Sequence, residues 1–338
     1  MPRVAQIDSS TTHLADSPTR LRVGVFPLGA AGTPEGVATG PADDLEQISA
    51  ALERLAGRGR PWLVRMYVGW TGAHSMRACL DHMAWWAAQP WDLDMVLCYR
   101  DRTANVDGWL TLVSETISRW GGRFSTLQIT SEADLTSMPG AADGDFPRVA
   151  EALVRGMLRA ATLKRELGAT VEVGFAVTFD PHPGECSLWP QVRQLGGQDF
   201  PAAVDYAGID MYPDVFRPGP PMSLERLGEA VGLVLRVFRE RVLEPIGLGS
   251  QVPIHICENG WPTGSTRYPE RQADALETMV RSVHAARGGL NVTHWELFTL
   301  RDADSYKDDL FHQFGILRDD YTPKPAFQRL ANLYSEFG

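Results

Sequence analysis

The chain has few of the features that mark membrane, nucleic-acid, metal or nucleotide chemistry, and each absence narrows what it does. No stretch approaches the roughly 18 consecutive apolar residues of a membrane-spanning helix, so no membrane partner is expected. Basic residues are outnumbered 32 to 42 by acidic ones, and the net charge is −10. Nowhere do Lys and Arg form the blocks that hold a phosphate backbone, so no nucleic-acid partner is expected. Cysteine is scarce: Cys79, Cys98, Cys186 and Cys257 are widely scattered and form no C-x-x-C pair, which points to buried free thiols in a reducing compartment. The eight histidines include no H-E-x-x-H or other tight ligand spacing, so neither a metal nor a cofactor is expected. G-x-S-x-G is absent, and with it support for a serine nucleophile. Met1 to Arg20 lacks the roughly seven-residue apolar run of a secretory signal and reads as a flexible tail, so a cytoplasmic location is expected.

What is present is rhythm. Short apolar or β-branched runs alternate with longer amphipathic stretches along almost all of the 338 residues. Strands are expected at Leu21 to Leu28, Trp62 to Val68, Leu93 to Tyr99, Phe124 to Thr130, Thr170 to Val177, Val204 to Met211, Pro253 to Cys257 and Val292 to Leu297. Helices are expected at Ala42 to Ala56, Ser75 to Ala88, Asp107 to Trp120, Pro147 to Leu167, Leu224 to Leu243, Pro269 to Arg287 and Pro325 to Phe337, several opening on the proline that suits a first turn. A doubly wound open sheet would usually carry a glycine-rich phosphate loop after an early strand. The PLGAAGTPEG that follows the first strand has neither that spacing nor a lysine, and reads as a flexible loop. The fold class is therefore α/β, a single-domain (β/α)₈ TIM barrel over residues 21–338. The Pro- and Gly-rich Asp180 to Phe200 interrupts the rhythm and is expected to be an irregular loop with room for a short helix, on the face where barrels keep their active sites.

Two strand ends carry glutamates: Glu132 in LQITSEADL after the fourth strand and Glu258 in IHICENGWPTG after the seventh, 126 residues apart. Simple alternation puts Gln128, Thr130 and Glu132 on one face, and Ile254, Ile256 and Glu258 on one face, so both glutamates can point inward. Paired carboxylates are what glycosidic cleavage requires, one protonated to assist the leaving oxygen and one ionised to attack or to activate water. The same pair also suits acid/base chemistry on a non-sugar biosynthetic substrate, and the barrel alone would suit a non-catalytic carbohydrate-binding protein.

On these motifs the sequence resembles the clan of retaining (β/α)₈ glycoside hydrolases that includes cellulases, β-mannanases, β-galactosidases and β-xylosidases. The likeness runs from Leu21 to the C-terminus and includes HWELFTLRDADS and FGILRDDYTPKPAF. It implies that Glu132 is the acid/base and Glu258 the nucleophile of a retaining β-glycosidase acting on a carbohydrate or small glycoside. It further implies that Tyr212 in GIDMYPDVF hydrogen-bonds the nucleophile, that Trp295 is a platform for the sugar, and that Arg65 in WLVRMYV supports the nucleophile carboxylate by charge-assisted bonds. Where the clan usually has an asparagine before the acid/base, this chain has Ser131. That asparagine contacts the sugar 2-hydroxyl in the clan. Serine in its place implies a sugar without a free 2-hydroxyl, weak hydrolysis, or a barrel turned to other chemistry.

Overall fold

The computed structural model describes residues 20–180, 184 and 186–337. The N-terminal tail expected before Leu21 lies, up to residue 19, outside the described residues. Eight parallel strands close into a barrel: β1 (Arg22–Phe26), β2 (Leu63–Trp70), β3 (Leu93–Tyr99), β4 (Thr126–Ser131), β5 (Glu172–Thr178), β6 (Tyr206–Asp210), β7 (Ile254–Asn259) and β8 (Val292–Phe298). Each pairs with its neighbours in chain order, and β8 closes onto β1 with Val23 opposite Trp295. The protein is a single-domain TIM barrel.

The surrounding helices form where the sequence supplies caps and an apolar face. α1 (Leu45–Ala56) starts under the Asp44 carboxylate, which accepts from the N–H groups of Glu46 and Gln47, and buries Ile48, Leu52 and Leu55. α2 (Met76–Ala87) and α3 (Val106–Trp120) follow, the latter capped by Asn105. α4 (Val149–Leu167) stops at Gly168, whose φ of 62° is the left-handed cap that glycine adopts without cost. α7 (Leu224–Val237), α8 (Pro269–Leu290) and α9 (Pro325–Phe337) complete the ring. No helix among the described residues is long and apolar enough to cross a membrane.

Three expectations change. The helix expected to run from Leu224 to Leu243 widens after Val237 into a π-helical turn, Phe238–Leu243. The loop expected after β1 is instead a small antiparallel hairpin pairing Ala30–Gly32 with Val37–Thr39. The segment expected to be irregular contains α5 (Leu188–Gly196) and the short α6 (Asp199–Ala202), because Leu188, Trp189, Val192 and Phe200 are apolar at helical spacing and buried. Pro190 does not prevent this, since it falls within the first turn, where backbone N–H groups have no helical acceptor. Residues 181–183 and 185 of that segment lie outside the described residues.

The strands divide a dry outer layer from a polar lumen. Val64, Met66 and Val68 of β2 join the apolar core shared with the helices, while Arg65 and Tyr67 point inward. Arg65 is 1% exposed and donates to Asp94, to Oε1 of Gln128 at 2.7 Å and to the hydroxyl of Tyr67 at 2.8 Å; Thr126 closes the network on Asp94 at 2.6 Å. A buried ion pair stands only when its remaining hydrogen-bonding capacity is met, as it is here. The bulk of these groups is accommodated by glycine: a Cβ on Gly24 would sit 2.8 Å from Cδ of Glu296, and one on Gly174 only 2.4 Å from the carbonyl oxygen of Tyr206.

Candidate active site

The C-terminal ends of β4, β6 and β7 bring three carboxylates together. One oxygen from each of Glu132, Asp210 and Glu258 lies within 4.8 Å of the other two. Glu258 is the best held. Its Oε1 accepts from the Tyr67 hydroxyl and its Oε2 from the Tyr212 hydroxyl at 2.7 Å, so both oxygens are engaged by O–H donors. Burial, partly offset at Tyr67 by nearby Arg65, pushes both phenols well above their ordinary titration range, and the charge of Glu258 adds to it; both remain protonated donors.

Neither glutamate is aimed by simple alternation. In β7 the lumen-facing residues are His255, stacked on Tyr206, and Cys257, packed with Ala176 and Tyr206, whereas Ile254 and Ile256 belong to the outer core. The register slips at this point: Ile209 pairs with Ile256 but Asp210 with Glu258, so two residues of β7 span one step of β6. That bulge reverses the parity and turns Glu258 inward. β4 is interrupted likewise between Gln128 and Ser131, and Thr130 and Glu132 take left-handed φ of 66° and 47°. The expected faces therefore fail even though both glutamates reach the mouth.

The backbone of Ser131 is clasped by Asp143, whose carboxylate accepts its N–H at 2.8 Å and that of Tyr99 at 2.7 Å, and whose own N–H returns to the Ser131 carbonyl at 2.9 Å. Such a clasp fixes where the next residue, Glu132, leaves the strand. The Glu132 carboxyl has no hydrogen-bond partner among the described residues. Burial first, and the negative charge of Glu258 second, hold it well above the ordinary carboxylate range. Asp210 is 2% exposed, with neither oxygen hydrogen-bonded among the described residues, and burial and the charges of Glu258 and Glu132 push it up in the same way.

The other expected site residues are placed differently. Arg65 makes no bond to Glu258; its guanidinium lies deeper in the lumen and reaches the glutamate only through Tyr67. Trp295 cannot be a platform, because it is 1% exposed and packs on the helix side with Val23, Val280 and Leu330. Its indole N–H donates to Oδ1 of Asn259 at 3.1 Å, and Asn259 donates to the Met211 carbonyl at 2.7 Å. Trp295 therefore steadies the residue beside Glu258 from behind the strand. The aromatic surface at the mouth is built by Phe298 instead, three residues on, with Tyr212, Phe314 and the half-exposed Phe216 around it. Asp302, in the loop after β8, is fully buried and paired with Lys324 at 2.7 Å.

Sequence reasoning passed over Tyr67, Asp210 and Phe298. Each had a signal: Tyr67 is two positions from Arg65, Asp210 two from Tyr212, and Phe298 four from His294, so each shares its partner's face if the strand is regular.

Fold and site together define a (β/α)₈ barrel with an acidic, aromatic-flanked site at the C-terminal mouth. Solved structures with this fold include the β-glucuronidase from Ruminococcus gnavus in complex with uronic deoxynojirimycin, with TM-score 0.58, 13% identity, and coverage of 93% of this chain and 50% of that one. They include Bifidobacterium dentium β-glucuronidase complexed with coumarin-3-O-glucuronide, with TM-score 0.59, 14% identity, and coverage of 94% and 47%. The β-glucosidase from Thermotoga maritima in complex with methoxycarbonyl-substituted glucoimidazole is matched at TM-score 0.63 and 14% identity, over 95% of this chain and 98% of that one. The chain thus spans about half the length of the β-glucuronidases and nearly all of the β-glucosidase. At these identities the likeness establishes the fold. No family model matches the chain, and no curated protein sequence does.

Proposed function

We propose that the protein is a retaining β-glycoside hydrolase in which Glu258 is the nucleophile and Glu132 the acid/base. The observation that carries this reading is the division of labour between two carboxylates whose nearest oxygens lie within 4.8 Å: Glu258 accepts two tyrosine hydroxyls, and Glu132 is held above the ordinary carboxylate range by burial and the charge beside it. An inverting pair leaves roughly 6.5–9.5 Å for a water, whereas a retaining pair stands about 5–5.5 Å apart. In the first step Glu258 bonds to the anomeric carbon as the glycosidic C–O bond breaks, and the Glu132 proton passes to the departing oxygen. In the second, Glu132 takes a proton from water, the water oxygen bonds to the anomeric carbon, and Glu258 is released. The β-glycoside class is supported by the β-glucosidase and β-glucuronidases that share the fold. Phe298 and Phe216 offer ring faces to sugar C–H groups. The four free cysteines support a cytoplasmic location.

Incubation with 2-deoxy-2-fluoro-β-glycosides of several sugars should inactivate the enzyme and add the sugar mass to the Glu258 peptide, and azide should restore turnover to Glu258→Ala. No label, together with no hydrolysis of a broad panel of aryl glycosides by folded protein, would sink the reading. A second reading, acid/base chemistry on a non-sugar substrate, is favoured by one observation: Asp210, a third carboxylate that double displacement does not call for and that has no hydrogen-bond partner among the described residues. That negative result, with proton exchange into a bound carbonyl compound that depends on Asp210, would favour it.

A further inference from the structure

A second cleft opens at the mouth of the barrel, between the loops that leave β1 and β8. Its volume is about 420 Å³, and small-molecule pockets span roughly 300–1,000 Å³. One wall is the hairpin that pairs Ala30–Gly32 with Val37–Thr39, and the other is the stretch 307–312 after β8. Both walls follow strand C-termini, which puts the cleft on the face that carries Glu258.

Both walls are fixed from below. Arg301, fully buried, donates to the carbonyl oxygens of Pro41 at 2.8 Å and Ala42 at 3.1 Å and to the Asp43 carboxylate at 2.9 Å, which ties the foot of the hairpin to the β8 loop. The hairpin then lies so close to its surroundings that a Cβ on Gly32 would stand 2.2 Å from that of Ala141, and one on Gly40 1.8 Å from the Ala303 carbonyl oxygen. In the other wall Asp309 caps its own turn: one oxygen accepts the N–H groups of Phe311 at 2.8 Å and His312 at 3.1 Å, and the second lies 2.5 Å from Nδ1 of His312. From there a line of aromatic rings runs to the carboxylates. Phe311 is centred 6.2 Å from Phe216, and Phe216 5.3 Å from Tyr212, the tyrosine that donates to Glu258.

We propose that this cleft is a second sugar-binding subsite, and that the substrate is a β-linked oligosaccharide long enough to reach it from the cleavage point rather than a single-sugar glycoside. The proposal rests on the glycosidase reading above and names the substrate class of the same mouth. A sugar ring presents C–H faces to apolar surface and hydroxyl groups around its edge. The cleft supplies partners for both: Phe311 and the 57%-exposed Val37 for the faces, and Glu35, Asp309, Lys307 and His312 as acceptors and donors for the hydroxyls. Charges of both signs among these groups suit a neutral sugar unit better than an ion. Walls already held by Arg301 and Asp309 need little ordering when the ligand arrives. Binding energy from a part of the substrate remote from the reacting bond can also raise kcat, by holding the anomeric carbon against Glu258.

The test is hydrolysis by the full chain of β-linked glucose, mannose and xylose oligosaccharides, from disaccharide to hexasaccharide, beside the 4-nitrophenyl glycosides of the single sugars. In the series that is cleaved, kcat/KM should rise about tenfold or more with added units. Phe311→Ala, and the surface change Val37→Glu, should each remove most of that gain and leave the shortest cleaved substrate within about twofold of the parent. Cleavage with no gain from added units overturns the proposal. So does a gain that both variants keep, or one given by naphthyl aglycones in place of sugars, which would make the cleft an aglycone pocket. If the folded protein cleaves no glycoside, the glycosidase reading fails by itself, and calorimetric titration with the hexasaccharides decides the cleft: saturable binding that both variants weaken about tenfold upholds the subsite, and no saturable binding refutes it.

Discussion

Arg65 reaches Glu258 only through the hydroxyl of Tyr67, which accepts from the arginine Nε at 2.8 Å and donates to Oε1 of the glutamate. One phenol thus joins a buried cation to the proposed nucleophile. Hydrogen bonds to charged groups contribute about 1.5–3 kcal/mol. Tyr67→Phe should therefore lower kcat/KM on the order of 10- to 100-fold on an aryl β-glycoside, with a smaller loss of stability from the arginine N–H left unmatched. Unchanged kinetics in a folded variant would remove Tyr67 from the site.

The proton on Glu132 gives a pH signature. Burial and the charge of Glu258 raise its carboxyl well above the ordinary range, so kcat/KM should fall on the alkaline side as that proton is lost. Glu258→Gln deletes the second cause, and the Glu132 titration, followed by carboxyl carbon NMR, should move to lower pH. A titration that stays in place would mean that the two carboxylates do not sense each other.

Asp210 is expected to cost stability. Its folded-state value lies well above the ordinary 3.8, so the folded protein holds this proton more tightly than the unfolded chain does. The associated stabilisation is complete below the unfolded value and is lost as pH rises through the raised one. Asp210→Asn should accordingly gain melting temperature relative to the parent more at pH 8 than at pH 5. An equal difference at both values would show that Asp210 is not titrating as a buried acid.

Trp295 and Phe298 separate support from contact. Trp295→Phe removes the donor to Asn259 and leaves a buried amide oxygen unmatched, a loss of about 1–3 kcal/mol in unfolding free energy. It should leave KM nearly unchanged. Phe298→Ala, at the mouth beside Tyr212, should raise KM several-fold. The reverse pattern would restore Trp295 as the sugar platform.

The sequence alone determined the eight-strand rhythm, because strand and helix are set by local periodicity, caps and turn residues. Leu93–Tyr99 and Pro325–Phe337 occupy the ranges their patterns define. It also put Glu132 and Glu258 at strand ends, since a strand's C-terminus in a βα unit is a local feature. Where side chains point was less legible. A one-residue bulge near Cys257 inverts every facing that alternation assigns beyond it, and nothing in IHICEN announces the extra residue.

Only the closed barrel decided the rest. Tyr67 meets Glu258 across 191 residues, and β2 and β7 are not even neighbours in the sheet; their side chains meet because closure turns both strands toward one lumen. His255 and His294 carry no ligand spacing in the chain, yet the parallel register of β7 and β8 sets them ring against ring. Local pattern is a property of a few consecutive residues, whereas register and closure depend on strands contributed by the whole chain. That is why the positions of the acids were written in the sequence and their partners were not.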